Sequence, residues 1–125
     1  MKKTVLIVDD SATLRASVQF VLTEAGYHVE EAVDGQKGLE VLDKLHSHDV
    51  KIDVIITDIN MPNMDGISYI REIKKGPFKF VPILVLTTES EHAKKLEGKA
   101  AGAAGWLVKP FKPEQLLWVV KKFIK

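Results

Sequence analysis

The chain has 125 residues, of which 46% are hydrophobic and 28% charged, so its length and composition suit one ordinary globular domain and exclude a disordered chain. It contains no cysteine, which excludes disulfides, thiolate metal sites and thiol nucleophiles. The formal net charge of +1 gives no general attraction to nucleic acid, although residues 1–90 hold 10 basic and 14 acidic side chains and residues 91–125 hold 8 and 3.

In the first half of the chain, short apolar runs alternate with longer segments whose apolar residues recur at helical spacing. Residues 4–8 and 28–32 are predicted strands, and each is followed by a predicted helix. Asp10 and Ser11 are capping candidates for the first helix, and Gly26 ends it. We expect Asp34 and Gly35 to form a turn and residues 46–51 to form a polar loop. The inward-facing helical positions are expected at Leu14, Val18, Leu22 and Ala25, and then at Leu39, Leu42 and Leu45.

The second half of the chain continues the alternation of strands and helices. Residues 54–57, 83–87 and 106–108 are predicted strands. The third helix follows a loop that contains Pro62, Asp65 and Gly66, and residues 76–77 stop it; the fourth covers about residues 91–101. The inward-facing positions of the third helix are expected at Ile67, Ile70 and Ile73. Those of the fifth helix are expected at Leu116, Leu117, Val120, Phe123 and Ile124. Five successive strand–helix pairs predict an α/β fold with a parallel sheet.

Polar side chains stand where four of the predicted strands end. Asp9 and Asp10 follow the first strand, Asp58 follows the third, Thr87 ends the fourth and Lys109 follows the fifth. Right-handed crossovers bring the carboxyl ends of parallel strands to one edge of the sheet, where ligands of such folds bind. We therefore expect these side chains to lie close together.

The three carboxylates at this edge would repel one another, which favours either a raised pKa or a bound hard cation, and Mg²⁺ fits best. A pair of aspartates alone could equally be a helix cap. Lys109 beside a metal ion is unfavourable unless an anion lies between them, and a phosphoryl group meets that need. Asp58 could then be the nucleophile that forms an acyl phosphate, with Thr87 bonded to a phosphoryl oxygen. The absence of a glycine-rich phosphate loop argues against a nucleotide held by its phosphates.

Four segments carry a resemblance to a known family: VLIVDDS at 5–11, DVIITDINMPNMDG at 53–66, VLTTES at 85–90 and GWLVKPF at 105–111. Together they resemble the receiver domain of two-component response regulators, most nearly the stand-alone CheY-type chemotaxis regulators. The resemblance implies a flavodoxin-like (βα)5 three-layer sandwich with a five-stranded parallel sheet in the order 2-1-3-4-5. It further implies one receiver domain over residues 1–125 and no output domain.

The resemblance also implies roles for individual positions. Asp58 corresponds to the aspartate that accepts a phosphoryl group from a histidine kinase. Asp10 corresponds to the main Mg²⁺ carboxylate and Asp9 to its neighbour, which usually acts through a water. Asp58 itself and the backbone carbonyl of Asn60 complete the metal ligands.

Further implied roles concern the phosphoryl contacts and the switch. Thr87 and Lys109 correspond to the hydroxyl and ammonium that hold the phosphoryl group, and the bond from Lys109 to Pro110 to the family's cis peptide. Trp106 stands where the family's aromatic switch residue is usually Tyr or Phe; ordinary packing remains an alternative for it. Asn60, Glu89 and Thr88 occupy positions that tune dephosphorylation, and Thr88 replaces the usual Ala or Ser.

The expected function is a phosphorylation-dependent signalling switch that is not an enzyme, although it assists its own phosphorylation and dephosphorylation. Its expected partners are a CheA-type histidine kinase and a downstream protein such as a flagellar motor switch protein, met at a face formed by the fourth helix, fifth strand and fifth helix. We expect a monomer without direct DNA binding. The alternatives are a Mg²⁺-dependent phosphohydrolase working through an aspartyl phosphate and a binding module that has lost phosphorylation.

Two further expectations concern the location of the protein in the cell and a surface that a partner could contact. No apolar run approaches the roughly 20 residues that cross a bilayer, and Asp9 and Asp10 interrupt the N-terminal run before a signal-peptide core could form. We therefore expect a cytoplasmic protein with no membrane insertion. Phe78, Phe80 and Trp118 could form an apolar patch for a partner, or could simply pack at a helix end.

Overall fold

The computed structural model describes residues 2–88 and 92–124. Within these residues, strands and helices alternate along the chain. In order they are β1 (Thr4–Val8), α1 (Ala12–Glu24), β2 (His28–Ala32), α2 (Gly35–Ser47), β3 (Val54–Asp58), α3 (Gly66–Ile73), β4 (Ile83–Thr87), α4 (His92–Ala101), β5 (Gly105–Val108) and α5 (Pro113–Phe123). The strands form one parallel sheet in the order β2-β1-β3-β4-β5, which confirms the predicted flavodoxin-like (βα)5 topology.

The sheet has a hydrophobic core on each face because its central strands bury alternate side chains in opposite directions. Residues such as Leu6, Ile55 and Val85 face α2 and α3. Their neighbours Ile7 and Ile56 face α1 and α5. Every residue of β1, β3 and β4 is buried, as expected for parallel strands covered by helices on both faces.

The helix ends differ from the sequence prediction in several places. Asp34 does not form a turn with Gly35: its carboxylate accepts a hydrogen bond from the Lys37 backbone N–H, so it caps α2, and Gly35 is the first helical residue. Helix α2 also continues to Ser47, into the predicted loop. Helix α1 ends at Glu24, before the expected core residue Ala25, which is exposed.

The last two helices need smaller corrections. Ile124 is the residue after α5 and not part of it, and β5 begins one residue earlier than predicted, at Gly105. Glu91, the predicted start of the fourth helix, lies outside the described residues. Among the helices of the described residues, none is long and apolar enough to cross a membrane.

Candidate functional site

The carboxyl ends of β1, β3, β4 and β5 meet at one edge of the sheet, as the sequence predicts. Val8 pairs with Thr57, so that Asp9 follows next to Asp58, the last residue of β3. Thr87 pairs with Val108, so that Lys109 follows beside the end of β4. Burial of both neighbouring strands leaves Asp9 and Asp58 almost inaccessible, whereas Asp10 is exposed.

The Lys109 ammonium lies between two of the carboxylates. Its Nζ is 3.2 Å from Oδ1 of Asp58 and 3.3 Å from Oδ2 of Asp9. The peptide bond between Lys109 and Pro110 is cis, as the resemblance implies. The backbone N–H of Ile59 also donates to Oδ1 of Asp58, at 2.9 Å, and the N–H of Ser11 donates to Oδ1 of Asp9, at 2.8 Å. Both buried carboxylates are therefore held in fixed positions.

The electrostatics of the site follow from this burial. Burial of the carboxyl group and the negative charge of Asp9 raise the pKa of Asp58, although Lys109 acts in the opposite direction. Burial alone would lower the pKa of Lys109, but the charges of Asp58 and Asp9 outweigh it and raise that pKa above its ordinary value. One ammonium thus leaves the negative charge of the carboxylates only partly compensated.

The donor atoms at this edge fit a hard divalent cation. One carboxylate oxygen from each of Asp9, Asp10 and Asp58 lies within 4.8 Å of the other two. Oxygen ligands of this kind suit Mg²⁺, which binds through one or two carboxylates and keeps several waters. The repulsion between the buried carboxylates of Asp9 and Asp58, which adds to burial in raising the pKa of Asp58, favours the same ligand.

Two residues to which the sequence analysis assigned no role in the site support it. The Nη1 atom of Arg15 donates to the backbone carbonyl of Asp9 at 2.7 Å, and its Nε pairs with Glu31 at 3.2 Å. The backbone N–H of Gly66 donates to the carbonyl of Ile59 at 2.7 Å, and a side chain at Gly66 would overlap the carbonyl of Asp58. The only sequence signal was position: Arg15 lies one turn after the cap Ser11, and Gly66 follows the cap Asp65.

Comparison with known proteins agrees with this geometry. The family described as "Response regulator receiver domain" matches residues 5–121. The chain belongs to this family. The receiver domain is 37% identical over 126 residues to the chemotaxis protein CheY of Thermotoga maritima, with 100% of both chains covered. It is 37% identical over 113 residues to the chemotaxis protein CheY1 of Helicobacter pylori, covering 89% of this chain and 88% of that protein.

A solved structure gives the same result. The chemotaxis protein CheY4 of Vibrio cholerae has a TM-score of 0.87 and 45% identity to this receiver domain, over 99% of this chain and 100% of that one. The expectations of a response regulator receiver domain, similar to CheY-type regulators of two-component systems, are therefore confirmed.

The two residues predicted to form the switch of this receiver domain lie in different surroundings. Thr87 is fully buried, and its hydroxyl has no hydrogen-bond partner among the residues that the structure describes. Trp106 pairs with Val85 in the neighbouring strand and is 38% exposed. The ammonium of Lys95, on α4, lies 5.8 Å from the centre of its ring. The indole therefore lies on the surface beside α4 and is not part of the acidic cluster.

The three positions expected to tune dephosphorylation lie in the loops after β3 and β4. Asn60 is exposed two residues after Asp58, and Thr88 is half-buried directly after Thr87. Glu89 lies outside the described residues. In this receiver domain Asn60 and Thr88 are therefore at the same edge as the acidic cluster.

Proposed function

We propose that this receiver domain is a signalling switch that accepts a phosphoryl group on Asp58 from the phosphohistidine of a CheA-type histidine kinase. The observation that carries the proposal is the position of the Lys109 ammonium between Asp58 and Asp9. A cation held there can draw an incoming phosphoryl oxygen toward the Asp58 carboxylate. Several of the relatives that it matches over most of their length are chemotaxis proteins, which makes chemotaxis the pathway we propose.

The proposed transfer is a substitution at phosphorus. A carboxylate oxygen of Asp58 attacks the phosphorus atom, and the bond from phosphorus to the imidazole nitrogen of the donor breaks with its electron pair leaving on the imidazole. Lys109 binds a phosphoryl oxygen, and the buried hydroxyl of Thr87 donates to another. The domain thus assists its own phosphorylation by positioning the reacting groups.

Mg²⁺ is the cofactor we propose for this step. Asp10 and Asp58 would bind it through their carboxylates, Asn60 through its backbone carbonyl, and Asp9 through a water. When bound, the ion supplies positive charge that offsets the charge of the phosphoryl oxygens.

Incubation with acetyl phosphate and Mg²⁺ tests the phosphoacceptor assignment. We expect the intact mass to increase briefly by one phosphoryl group, and we expect Asp58→Asn to abolish the increase. Asp65→Asn is a matched control because Asp65 is also an aspartate of the β3–α3 region but caps α3. Labelling that persists in Asp58→Asn contradicts the assignment, and steady turnover of many phosphoesters favours the phosphohydrolase.

We further propose that α4, β5 and α5 form the face that a downstream protein, such as a flagellar motor switch protein, reads. Trp106 lies on this face, and the basic residues of the chain are concentrated in this part of the sequence. In this proposal the domain works as a cytoplasmic monomer. Asn60, Thr88 and Glu89 would set how long the phosphoryl group persists, because side chains there can orient the attacking water.

A further inference from the structure

A concave surface lies at the opposite end of the strands from Asp58. We call it the basal groove; it has a volume of about 550 Å³ and lies where β1, β3 and β4 begin. Its lining includes Lys3, Lys51, Asp53, Phe80, Phe123 and Ile124. Five-residue strands separate the two edges by about 17 Å, so that a molecule in the groove would not touch the phosphoryl site.

The apolar lining of the groove includes two neighbouring phenylalanines in different environments. Phe78 is buried and belongs to the core that α2 and α3 cover. Phe80, two residues later, is 88% exposed, although it is a large aromatic side chain. Of the two alternatives for the predicted patch, packing therefore explains Phe78 and leaves Phe80 without a structural role in the core. Trp118 lies on α5 and does not line the groove.

The charged part of the groove is mainly basic. Lys3 and Lys51 line it, and two more ammonium groups lie over its aromatic rings, at 5.3 Å for Lys79 over Phe80 and 5.8 Å for Lys122 over Phe123. These contacts hold positive charge beside apolar surface.

The acidic side chain that lines the described part of the groove pairs with only one of these lysines. The side chain of Asp53 is only 12% exposed. Its Oδ2 accepts a hydrogen bond from the backbone N–H of Thr4 at 2.8 Å, and its Oδ1 is 3.8 Å from Nζ of Lys51. One aspartate that is turned toward the backbone leaves several lysines available to a ligand of negative charge.

We propose that the basal groove binds an acidic, extended segment of a partner protein. An apolar side chain of that segment would pack against Phe80 and Phe123, and its carboxylates would pair with Lys3 and Lys51. The groove is open to solvent, so that a peptide chain could run through it and continue beyond both ends. A small-molecule site, in contrast, encloses most of its ligand. The proposal does not depend on the proposed function.

Selection from a random peptide library displayed on phage tests this assignment. We expect the recovered peptides to combine several Asp or Glu residues with an aromatic or large aliphatic residue. A fluorescein-labelled synthetic copy of a recovered peptide should bind about tenfold more weakly to Phe80→Ser and to the double variant Lys3→Gln, Lys51→Gln. Its affinity should fall as sodium chloride rises from about 0.05 M to about 0.5 M, because exposed charges are screened.

Matched controls are available elsewhere on the surface. Phe20→Ser removes another exposed phenylalanine, on α1, and the double variant Lys44→Gln, Lys99→Gln removes two exposed lysines on α2 and α4. Both should bind the labelled peptide as the unaltered chain does. Circular dichroism should show all four variants folded, because each altered side chain is exposed.

Several outcomes would overturn the proposal. If the recovered peptides lack acidic residues, the groove does not select an acidic segment. If Phe80→Ser leaves peptide binding unchanged, the peptides do not bind in the groove. Displacement of the labelled peptide by millimolar inorganic phosphate or a mononucleotide would identify a phosphate site instead. Sedimentation that shows a dimer lost in Phe80→Ser would identify a second copy of the chain as the occupant.

Discussion

Gly66 lies so close to the strand that carries Asp58 that no side chain fits there. A Cβ atom at this position would overlap the carbonyl oxygen of Asp58 and come within 2.9 Å of the Cα of Ile59. We expect Gly66→Ala to lower the free energy of unfolding by about 1 to 3 kcal/mol, because backbone must move to admit the methyl group. Urea denaturation followed by circular dichroism measures this change.

Gly98→Ala is the control for that substitution. Gly98 is a buried glycine in α4, but its nearest neighbour for an added Cβ is Ile67 at 3.6 Å, which is ordinary van der Waals contact. We expect Gly98→Ala to be neutral or to stabilise the fold by up to about 1 kcal/mol, since alanine favours a helix. Equal losses in the two variants would show that the contact with Asp58 is unimportant.

The Lys109 ammonium should oppose Mg²⁺ at the acidic cluster. It lies within 3.3 Å of two of the three carboxylates, and a cation a few ångströms away adds about 1 kcal/mol of repulsion even in a solvated site. We expect Lys109→Met to bind Mg²⁺ roughly fivefold more tightly while its labelling by acetyl phosphate slows. Calorimetric titration measures the affinity.

Lys99→Met is the control for the charge change, because Lys99 is an exposed lysine in the last turn of α4. Its Mg²⁺ affinity should match that of the unaltered chain. If Lys109→Met binds Mg²⁺ no more tightly than this control, the lysine and the ion do not compete for the same carboxylates.

At the scale of elements, Asp34 joins two loops at the functional edge. It caps α2 by accepting from the backbone N–H of Lys37, and its other oxygen accepts from Nδ2 of Asn63 at 2.8 Å. Asn63 has a φ of 68°, in the left-handed region that asparagine tolerates better than most residues. Loss of this carboxylate therefore removes a helix cap and a contact to the β3–α3 loop together.

We expect Asp34→Ala to lower the free energy of unfolding by about 1 to 2 kcal/mol at neutral pH. The hydrogen bonds from Lys37 and Asn63 hold the pKa of Asp34 below its ordinary value. Its contribution is therefore complete above about pH 5, where an unfolded aspartate is almost fully ionised, and is lost as the pH falls through the lower folded pKa. The difference in free energy of unfolding between Asp34→Ala and the unaltered chain should therefore become smaller at low pH. Urea titrations at several pH values measure this difference.

Ser11→Ala serves as the comparison for this pH dependence. Ser11 caps α1 through its hydroxyl, which accepts from the N–H of Leu14 at 3.2 Å and does not titrate. Ser11→Ala should lower the free energy of unfolding by about 1 kcal/mol, and this loss should not become smaller at low pH. A penalty for Asp34→Ala that is constant from neutral to acidic pH would contradict the role assigned to the ionised carboxylate.

The elements show what the sequence could and could not predict. Strand positions followed from apolar runs, since burial on both faces of a parallel sheet requires them. The residues of the acidic edge followed from their places at strand ends. Helix boundaries could not be predicted as well. The sequence around Asp34 is equally typical of a turn and of a helix cap, and only the hydrogen bond that Asp34 accepts from Lys37 distinguishes the two. The contacts of Arg15 and Gly66 join separate segments of the chain, which no local pattern specifies.

At the scale of the whole molecule, the proposed function requires that phosphorylation of Asp58 alters the face that carries Trp106. We expect beryllofluoride with Mg²⁺ to draw Thr87 toward the acyl-phosphate mimic and to open space beneath β4, into which the exposed indole can move. In a Trp118→Phe background the emission of Trp106 should then shift to shorter wavelength. We expect a coupling free energy of about 1 to 3 kcal/mol between the phosphoryl site and the movement of the indole.

The same measurement in the double variant Asp58→Asn, Trp118→Phe is its control and should show no shift. Trp118 is an exposed residue of α5, so its replacement by Phe leaves the core intact. Unchanged emission of Trp106, together with unchanged amide chemical shifts over residues 92–124, would exclude this route of communication.

The burial of α4 differs sharply from that of the strands beside it. Among residues 93–101, only Gly98 is buried, whereas every residue of β1, β3 and β4 is buried. Hydrogen–deuterium exchange should therefore proceed in α4 through local opening, and in the central strands only through global unfolding. With so little surface buried, we expect that a ligand of modest affinity could reposition α4 while the sheet that holds Asp58 stays intact.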